Sequence, residues 1–326
     1  MTGQVILKVE DLCVDYDSSA GTAQAVDQVS FELSEREFLA VVGESGCGKS
    51  TLLFAIGRLL TPPAALSRGK VLFSGQNMVA MSDKALRAVR WRDLSVVMQS
   101  AMNALNPVTS IRAQFSDVMK AHGEKSPKAI RARSEEVLTM VGIDPVHLAS
   151  YAHQLSGGMR QRAMIAMALL FSPELILMDE PTSALDVVAQ RSLMVQIKQL
   201  QAELGFAIIF VTHDMSLVAH FSDRVAVMYA GQVVETRPTA SLFSDPLHPY
   251  TCGLLDSFPS VYGPKLLVEG IPGNPPDLTQ LPQGCNFAAR CRKAMPRCTG
   301  TAPTQYEVDD ALVRCLLYDQ AEAGRD

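Results

Sequence analysis

Residues 43–50 read Gly-Glu-Ser-Gly-Cys-Gly-Lys-Ser, and no other stretch of the chain restricts the fold as tightly. The pattern G-x-x-x-x-G-K-[ST] carries meaning only when a strand precedes it and a helix follows. Both contexts are written in the sequence. Phe38-Leu39-Ala40-Val41-Val42 is a continuous apolar run, and Thr51-Leu52-Leu53-Phe54-Ala55-Ile56 reads as a helix. Glycines let such a loop curl until successive main-chain N–H groups face one centre, and the helix N-terminus adds partial positive charge. Gly43, Glu44, Ser45, Gly46, Cys47, Gly48, Lys49, Ser50 and Thr51 therefore read as a cradle for the phosphates of a nucleoside triphosphate. Lys49 would neutralise the β- and γ-phosphates, and Ser50 would offer its hydroxyl to Mg²⁺. The plainer alternative is a glycine-rich turn that caps a helix, and it leaves the downstream motifs unexplained.

Composition narrows the class. The chain has 326 residues, more than one typical domain, so a second small unit is expected. At 48% hydrophobic and 19% charged it reads as a packed globular protein. The formal net charge is −5 and no lysine–arginine block occurs, which gives no support to a nucleic-acid partner. Met1 to Lys8 lacks the basic-then-apolar order of a secretory signal. The longest apolar runs, Met164 to Phe171 and Phe206 to Val211, fall short of the ~18–20 residues that span a bilayer. Any membrane role is expected to come through partner chains.

Val5 to Glu10 and Ala25 to Leu33 alternate with period two, as antiparallel strands do. Thr61-Pro62-Pro63 is expected to break the first helix, and Val71-Leu72-Phe73 continues the strand-rich part. From Ser82 to Ile143 the periodicity is helical, with Val89-Arg90-Trp91-Arg92 and Ile130-Arg131-Ala132-Arg133 on exposed faces. Leu175 to Met178, Ala207 to Val211 and Arg224 to Met228 are short buried strands separated by helices, the mark of a parallel α/β sheet. After about residue 240 prolines accumulate and periodicity fades. The expected division is a domain over 1–240, with a helical part at about 82–155, and a loop-rich extension over 241–326.

Three further motifs bear on chemistry. Leu175-Ile176-Leu177-Met178-Asp179-Glu180 is an apolar strand ending in two carboxylates. Asp179 suits Mg²⁺, a hard cation that prefers oxygen ligands. Glu180 could polarise a water attacking the γ-phosphate. By itself such an acid pair is common. Ala207 to Val211 runs into Thr212-His213-Asp214, and ligands gather at the carboxyl ends of parallel strands, although a histidine there is as often a satisfied core residue. Ser156-Gly157-Gly158 precedes an amphipathic run, so Ser156 can cap a helix whose first N–H groups face an anion. In isolation a plain helix cap is the better reading.

Together, the phosphate loop, Ser156-Gly157-Gly158 and Asp179-Glu180 strongly resemble the ATP-binding-cassette ATPases. The resemblance implies a P-loop α/β nucleotide-binding domain with an antiparallel β-subdomain and a helical subdomain. It also implies roles. Gln99 contacts Mg²⁺ and reports to the membrane partner; Asp186, in Ser183-Ala184-Leu185-Asp186, belongs to a loop crossing to the other subunit; His213 contacts the γ-phosphate; and Tyr16 stacks on adenine. Lys49, Gln99, Glu180 and His213 are then the catalytic set, with Ser50, Gln99 and Asp179 around Mg²⁺. A second cassette subunit, alike or paralogous, would close head-to-tail through Ser156-Gly157-Gly158. Two integral-membrane permease subunits and an extracytoplasmic substrate-binding protein would complete the complex on the cytoplasmic side of the membrane. A soluble cassette ATPase acting on nucleic acid or ribosomes is the alternative.

Within the superfamily, Asp245-Pro246-Leu247-His248-Pro249-Tyr250-Thr251 and the cysteine-bearing tail are similar to the ATPase subunits of dipeptide/oligopeptide importers, relatives of which serve nickel and oligosaccharides. Such subunits commonly read Asp-Pro after the glutamine, where this chain has Ser100-Ala101-Met102-Asn103 before Ala104-Leu105-Asn106-Pro107. Cys285-x5-Cys291-x6-Cys298-x16-Cys315 places four thiols in a short unit with little apolar core. Small units of that kind often need a metal staple. Four sulfurs suit zinc or an iron–sulfur cluster, and unliganded thiols are the third reading. The resemblance favours a [4Fe–4S] cluster, with Zn²⁺ second.

Overall fold

The computed structural model describes residues 3–18, 21–99, 104–257 and 270–319, and the chain divides into two compact units. One unit comprises residues 1–6, 33–38 and 77–210; the other comprises 7–32, 39–76 and 211–326.

In the unit holding the phosphate loop, the alternating segments are strands β1 (Val5–Ser18) and β2 (Gly21–Ser34). Val29, Phe31 and Leu33 turn inward while Gln28 and Glu32 face out, so the alternation has a half-buried sheet as its cause. The apolar run is β3 (Phe38–Val42), buried at every residue, and α1 (Lys49–Ile56) follows the loop. The helix closes at Gly57, ahead of Thr61-Pro62-Pro63, so the prolines are not what ends it. β4 (Ala64–Phe73) pairs antiparallel with β1, from Leu7↔Phe73 to Tyr16↔Ala64, and with β5 (Gln76–Asn77) completes a sheet of order β2-β1-β4-β5.

The other unit carries α2 (Asp83–Val89), β6 (Leu94–Val97), α3 (Ile111–Ala121), α4 (Pro127–Met140), α5 (Gly157–Ala168), β7 (Leu175–Asp179), α6 (Val187–Leu204) and β8 (Ala207–Val211). The strands stand in the order β8-β7-β6, and β6 and β7 run parallel from Leu94↔Leu175 to Val97↔Met178. Ser82, Ser110, Ser126, Ser156 and Asp186 cap the five helices, each side chain accepting an N–H from the third residue on. Such a cap contributes about 1 kcal/mol. β6 corrects the helical reading of 82–143. Its four residues are too short to separate a strand from a helix by period. Tertiary contacts decide: Trp91 turns the chain with φ 71°, its Nε1 donates to Met167 O at 3.0 Å, and buried Ser95 donates to Ala168 O at 2.8 Å.

Returning to the loop-bearing unit, α7 (Met215–Phe221) leads to β9 (Arg224–Tyr229), β10 (Gln232–Pro238), α8 (Thr239–Ser244) and α9 (Pro249–Asp256), with the hairpin β11 (Tyr306–Val308) and β12 (Ala311–Val313) near the end. β3 pairs parallel with β9, Leu39↔Arg224 to Val42↔Val227, and the order on that side is β11-β12-β10-β9-β3. The late hairpin thus extends the sheet through β10, by Glu235↔Val313 and Thr236↔Leu312. Val42, Val225, Val227 and Tyr229 share one buried cluster with Tyr250 and Phe287 of the proline-rich tail. Among the described residues no helix is long and apolar enough to cross a membrane.

Candidate functional site

The phosphate loop leaves the buried end of β3 and packs so closely that two of its positions admit no side chain. A Cβ on Gly43 would lie 2.2 Å from Met228 O, and one on Gly48 2.1 Å from Ala25 O, with φ 150° and 104° respectively. Glycine is the residue that accepts both demands. Ser45 and Gly46 stand exposed at the tip. Lys49 is 7% exposed, and its Nζ donates to Gly43 O at 2.8 Å and Glu44 O at 2.9 Å. Its ammonium is therefore held over the loop by main-chain oxygens. Burial pushes the Cys47 thiol up, so this cysteine fills space in the turn as a neutral side chain. The Tyr16 hydroxyl and Thr51 Oγ1 lie 3.2 Å apart, which ties β1 to the first turn of α1. Thr212 N donates to Val41 O at 3.2 Å, which fixes the residue before exposed His213 beside the end of β3.

In the other unit, Asp179 ends β7 almost fully buried, and Glu180 follows with φ 42°. The parallel register sets Val97 opposite Met178, so Gln99 and Glu180, each two residues further on, leave the sheet at the same height. Gln99 Nε2 donates to Glu180 Oε2 at 2.7 Å. Nothing in the spacing of these residues predicts that pair; it requires β6. Ser156 Oγ accepts from Met159 N at 3.2 Å, so Gly157 and Gly158 occupy the first turn of α5. Asp186 caps α6 by accepting from Ala189 N at 2.9 Å. The departure at Ser100-Ala101-Met102-Asn103 lies outside the described residues.

Two side chains that the sequence reading did not pick reach Glu44 of the loop. The Tyr250 hydroxyl accepts from Glu44 N at 2.9 Å, and Arg290 donates to both Glu44 carboxylate oxygens at 2.7 and 2.9 Å. Tyr250 lay in a segment already singled out; Arg290 carried no local signal. That segment is organised by two buried groups. Glu235 accepts the N–H of Leu247 at 3.0 Å and of His248 at 2.9 Å, and His248 Nδ1 accepts from Tyr250 N at 3.0 Å. Burial lowers the His248 imidazole from 6.5 to about 3, opposed by a hydrogen bond with the backbone of Arg314. The folded chain thus refuses a proton that the unfolded chain takes below pH 6.5. Stability should fall as pH drops from 6.5 toward 3, by up to ~1.4 kcal/mol per pH unit from this group. His248→Asn keeps a side-chain acceptor for Tyr250 N, so denaturant titrations should show a shallower acid slope; equal slopes would refute the assignment.

The four late cysteines are drawn into one loop-rich region. Cys285 N donates to Cys298 O at 2.8 Å, and Cys298 and Cys315 are each 8% exposed. Burial raises the Cys285 and Cys291 thiols and pushes Cys315 up to about 11, with the neighbouring cysteine sulfurs adding to each shift. None forms a disulfide. The sulfurs are near enough to affect one another's ionisation, yet among the described residues no group of three or more His, Cys, Asp or Glu side chains is arranged to hold a metal ion. The thiols are therefore neighbours that do not converge on one point, and as placed they do not form a ligand set.

Residues 26–183 match the ABC transporter family, and residues 234–298 match the oligopeptide/dipeptide transporter C-terminal region. The chain is 41% identical to the dipeptide transport ATP-binding protein DppD of Caldanaerobacter subterraneus subsp. tengcongensis, over 97% of this chain and 98% of that protein. It is 43% identical to the oligopeptide transport ATP-binding protein OppD of Bacillus subtilis, over 94% of this chain and 86% of the relative. Among solved structures it is similar to the ATP-binding cassette MJ0796, a dimer in a post-hydrolysis state bound to ADP and Pi. The TM-score is 0.65 at 28% identity, covering 72% of this chain and 98% of that one. It is also similar to cbiO1 of Clostridium perfringens, part of the transporter complex cbiONQ, with TM-score 0.63 and 32% identity over 74% and 91% of the two chains.

Proposed function

The chain belongs to the ATP-binding-cassette transporter family, and from that premise we infer that it is the ATP-binding and ATP-hydrolysing subunit of a peptide importer. The observation that carries the cargo is the likeness to dipeptide and oligopeptide transport subunits along nearly the whole chain, tail included. ATP and Mg²⁺ are the ligands of such ATPases.

The loop residues from Ser45 to Ser50 hold the phosphates by main-chain N–H groups, supported by the glycine positions that pack without side chains. Lys49 exchanges its hydrogen bonds with Gly43 O and Glu44 O for phosphate oxygens. Tyr16 provides the aromatic face for adenine. Ser50, Gln99 and Asp179 supply the oxygen atoms suited to Mg²⁺, which when bound offsets charge on the phosphates. Glu180 accepts a proton from the attacking water, with Gln99 orienting the carboxylate through its Nε2. His213 braces the phosphoryl group being transferred. The Ser156-Gly157-Gly158 turn and Asp186 serve the neighbouring subunit in a head-to-tail dimer.

ATP binding favours the closed dimer and hydrolysis removes the contacts that hold it, and that difference in affinity does the work. Permease subunits on the membrane, with a substrate-binding protein beyond them, receive it, and this chain sits on the cytoplasmic face. Residues 241–326 form the extension added to the 1–240 ATPase. In the assembled transporter, peptides delivered by the binding protein should raise ATP hydrolysis severalfold. Stimulation by nickel or oligosaccharides and not by peptides would overturn the cargo.

We also propose that Cys285, Cys291, Cys298 and Cys315, which share one region without converging on a common point, would be drawn together around a [4Fe–4S] cluster in the loaded protein. Support comes from their gathering in one small region, and no step of hydrolysis runs through them. Protein purified without oxygen from iron-replete cells should be brown and carry about four iron atoms per chain. Colourless, iron-free protein from such cells would end the proposal, and bound zinc would replace it.

A further inference from the structure

We propose that Arg290 and Tyr250 are positioning residues for the phosphate loop, through which the proline-rich tail sets how tightly the chain holds ATP. The inference rests on reading the loop as the grip on ATP. It begins with Glu44, which puts a carboxylate in a loop read as the cradle of a polyanion. Left alone, that charge would oppose the ligand. Arg290 meets it with two parallel hydrogen bonds, at 2.7 and 2.9 Å, and is itself only 6% exposed at the side chain. Planar bidentate pairing is the strongest form that an arginine–carboxylate contact takes.

Arg290 is in turn held from three sides. Its Nε donates to Pro272 O at 2.8 Å, its Nη1 also reaches Tyr229 OH at 3.2 Å, and the guanidinium sits 5.7 Å from the Tyr229 ring centroid. Tyr229 ends β9, the strand paired with β3, so the clamp is anchored on the sheet from which the loop springs.

Tyr250 fixes the main chain of the same residue. Its ring is fully buried against Tyr229 and Phe287, at centroid distances of 4.6 and 5.4 Å, and its hydroxyl accepts the Glu44 N–H. The other end of the Glu44 residue, its carbonyl, accepts from Lys49 Nζ. The tail therefore orients Glu44, whose carbonyl holds the Lys49 ammonium in place until phosphate oxygens take it over. Glu235 and His248 exist in this scheme to aim one phenol. They satisfy the N–H groups of residues 247, 248 and 250, so α9 begins at a fixed place with Tyr250 in its first turn.

Binding of a fluorescent ATP analogue to the full-length chain tests this. Arg290→Ala should weaken affinity about tenfold, equivalent to about 1.4 kcal/mol. In hydrolysis KM should rise while kcat stays within about twofold, because Arg290 touches none of the reacting atoms. The double variant Glu44→Gln/Arg290→Ala removes the exposed charge with its partner and should recover most of the loss. Tyr250→Phe deletes one oxygen without disturbing the ring packing and should weaken binding about threefold. A tail that serves folding alone gives a different pattern: the double variant binds no better than Arg290→Ala. That pattern overturns the inference, as does wild-type affinity in both Arg290→Ala and Tyr250→Phe. If Arg290→Ala does not fold, Tyr250→Phe decides by itself. Wild-type protein that binds no ATP would overturn the reading of the loop, which separates that failure from this one.

Discussion

Glu180→Gln protein will bind ATP as the wild type does and hydrolyse it about 10²–10³-fold more slowly, the usual cost of removing one electrostatic element from a transition state. The substitution suits the question because an amide has the size of a carboxylate. Gln99 Nε2 now donates to Glu180 Oε2 at 2.7 Å, and a glutamine carbonyl oxygen can accept the same bond. The left-handed backbone at residue 180, φ 42°, is as accessible to glutamine as to glutamate. What disappears is the basic oxygen proposed to take a proton from water. With hydrolysis stopped and binding intact, the closed dimer should accumulate with ATP and be visible by size-exclusion chromatography. Turnover at the wild-type rate would remove Glu180 from the mechanism.

Lys49→Ala should lose ATP affinity by about 10²-fold or more, and peptide uptake with it. Two effects add. The triphosphate loses the cation proposed to meet its β- and γ-oxygens, and Gly43 O and Glu44 O lose a donor they share in the folded chain. The second effect costs stability of about 1 kcal/mol, because the buried bond to Gly43 O is lost while Glu44 O keeps the Cys47 N–H. Thermal denaturation separates the two: added ATP should raise the melting temperature of wild-type protein and leave that of Lys49→Ala unchanged. Unaltered nucleotide affinity in a folded Lys49→Ala protein would refute the loop as the site of binding.

Much of the architecture could be read from residues that lie side by side. β3, the glycine-rich loop and α1 are contiguous, and the glycines announce a backbone that no side chain could share. The parallel strands β7, β8 and β9 appear in the sequence as short apolar runs because both of their faces are buried. One helix start was legible for the same reason, since the Ser156 side chain acts on an N–H three residues away; the cap at Asp186 emerged only with the structure. β6 was not legible, since four apolar-leaning residues satisfy either period and only Trp91, Ser95 and the register with β7 choose between them. The cysteine spacing suggested ligands, whereas the positions of the thiols depend on loops whose path no local rule sets.

The sequence by itself determined that a triphosphate loop exists, that acidic and histidine residues end core strands, and that a proline-rich tail follows. Each depends on neighbours in the chain, where covalent geometry and hydrogen-bond reach leave few choices. Only the tertiary structure decided that Gln99 meets Glu180 across 81 positions, and that Glu44 is held by Tyr250 and Arg290 across 206 and 246. Pairings of that kind depend on strand register and on which faces pack together, so the residues that fix the loop's charge and orientation leave no mark in the sequence around it.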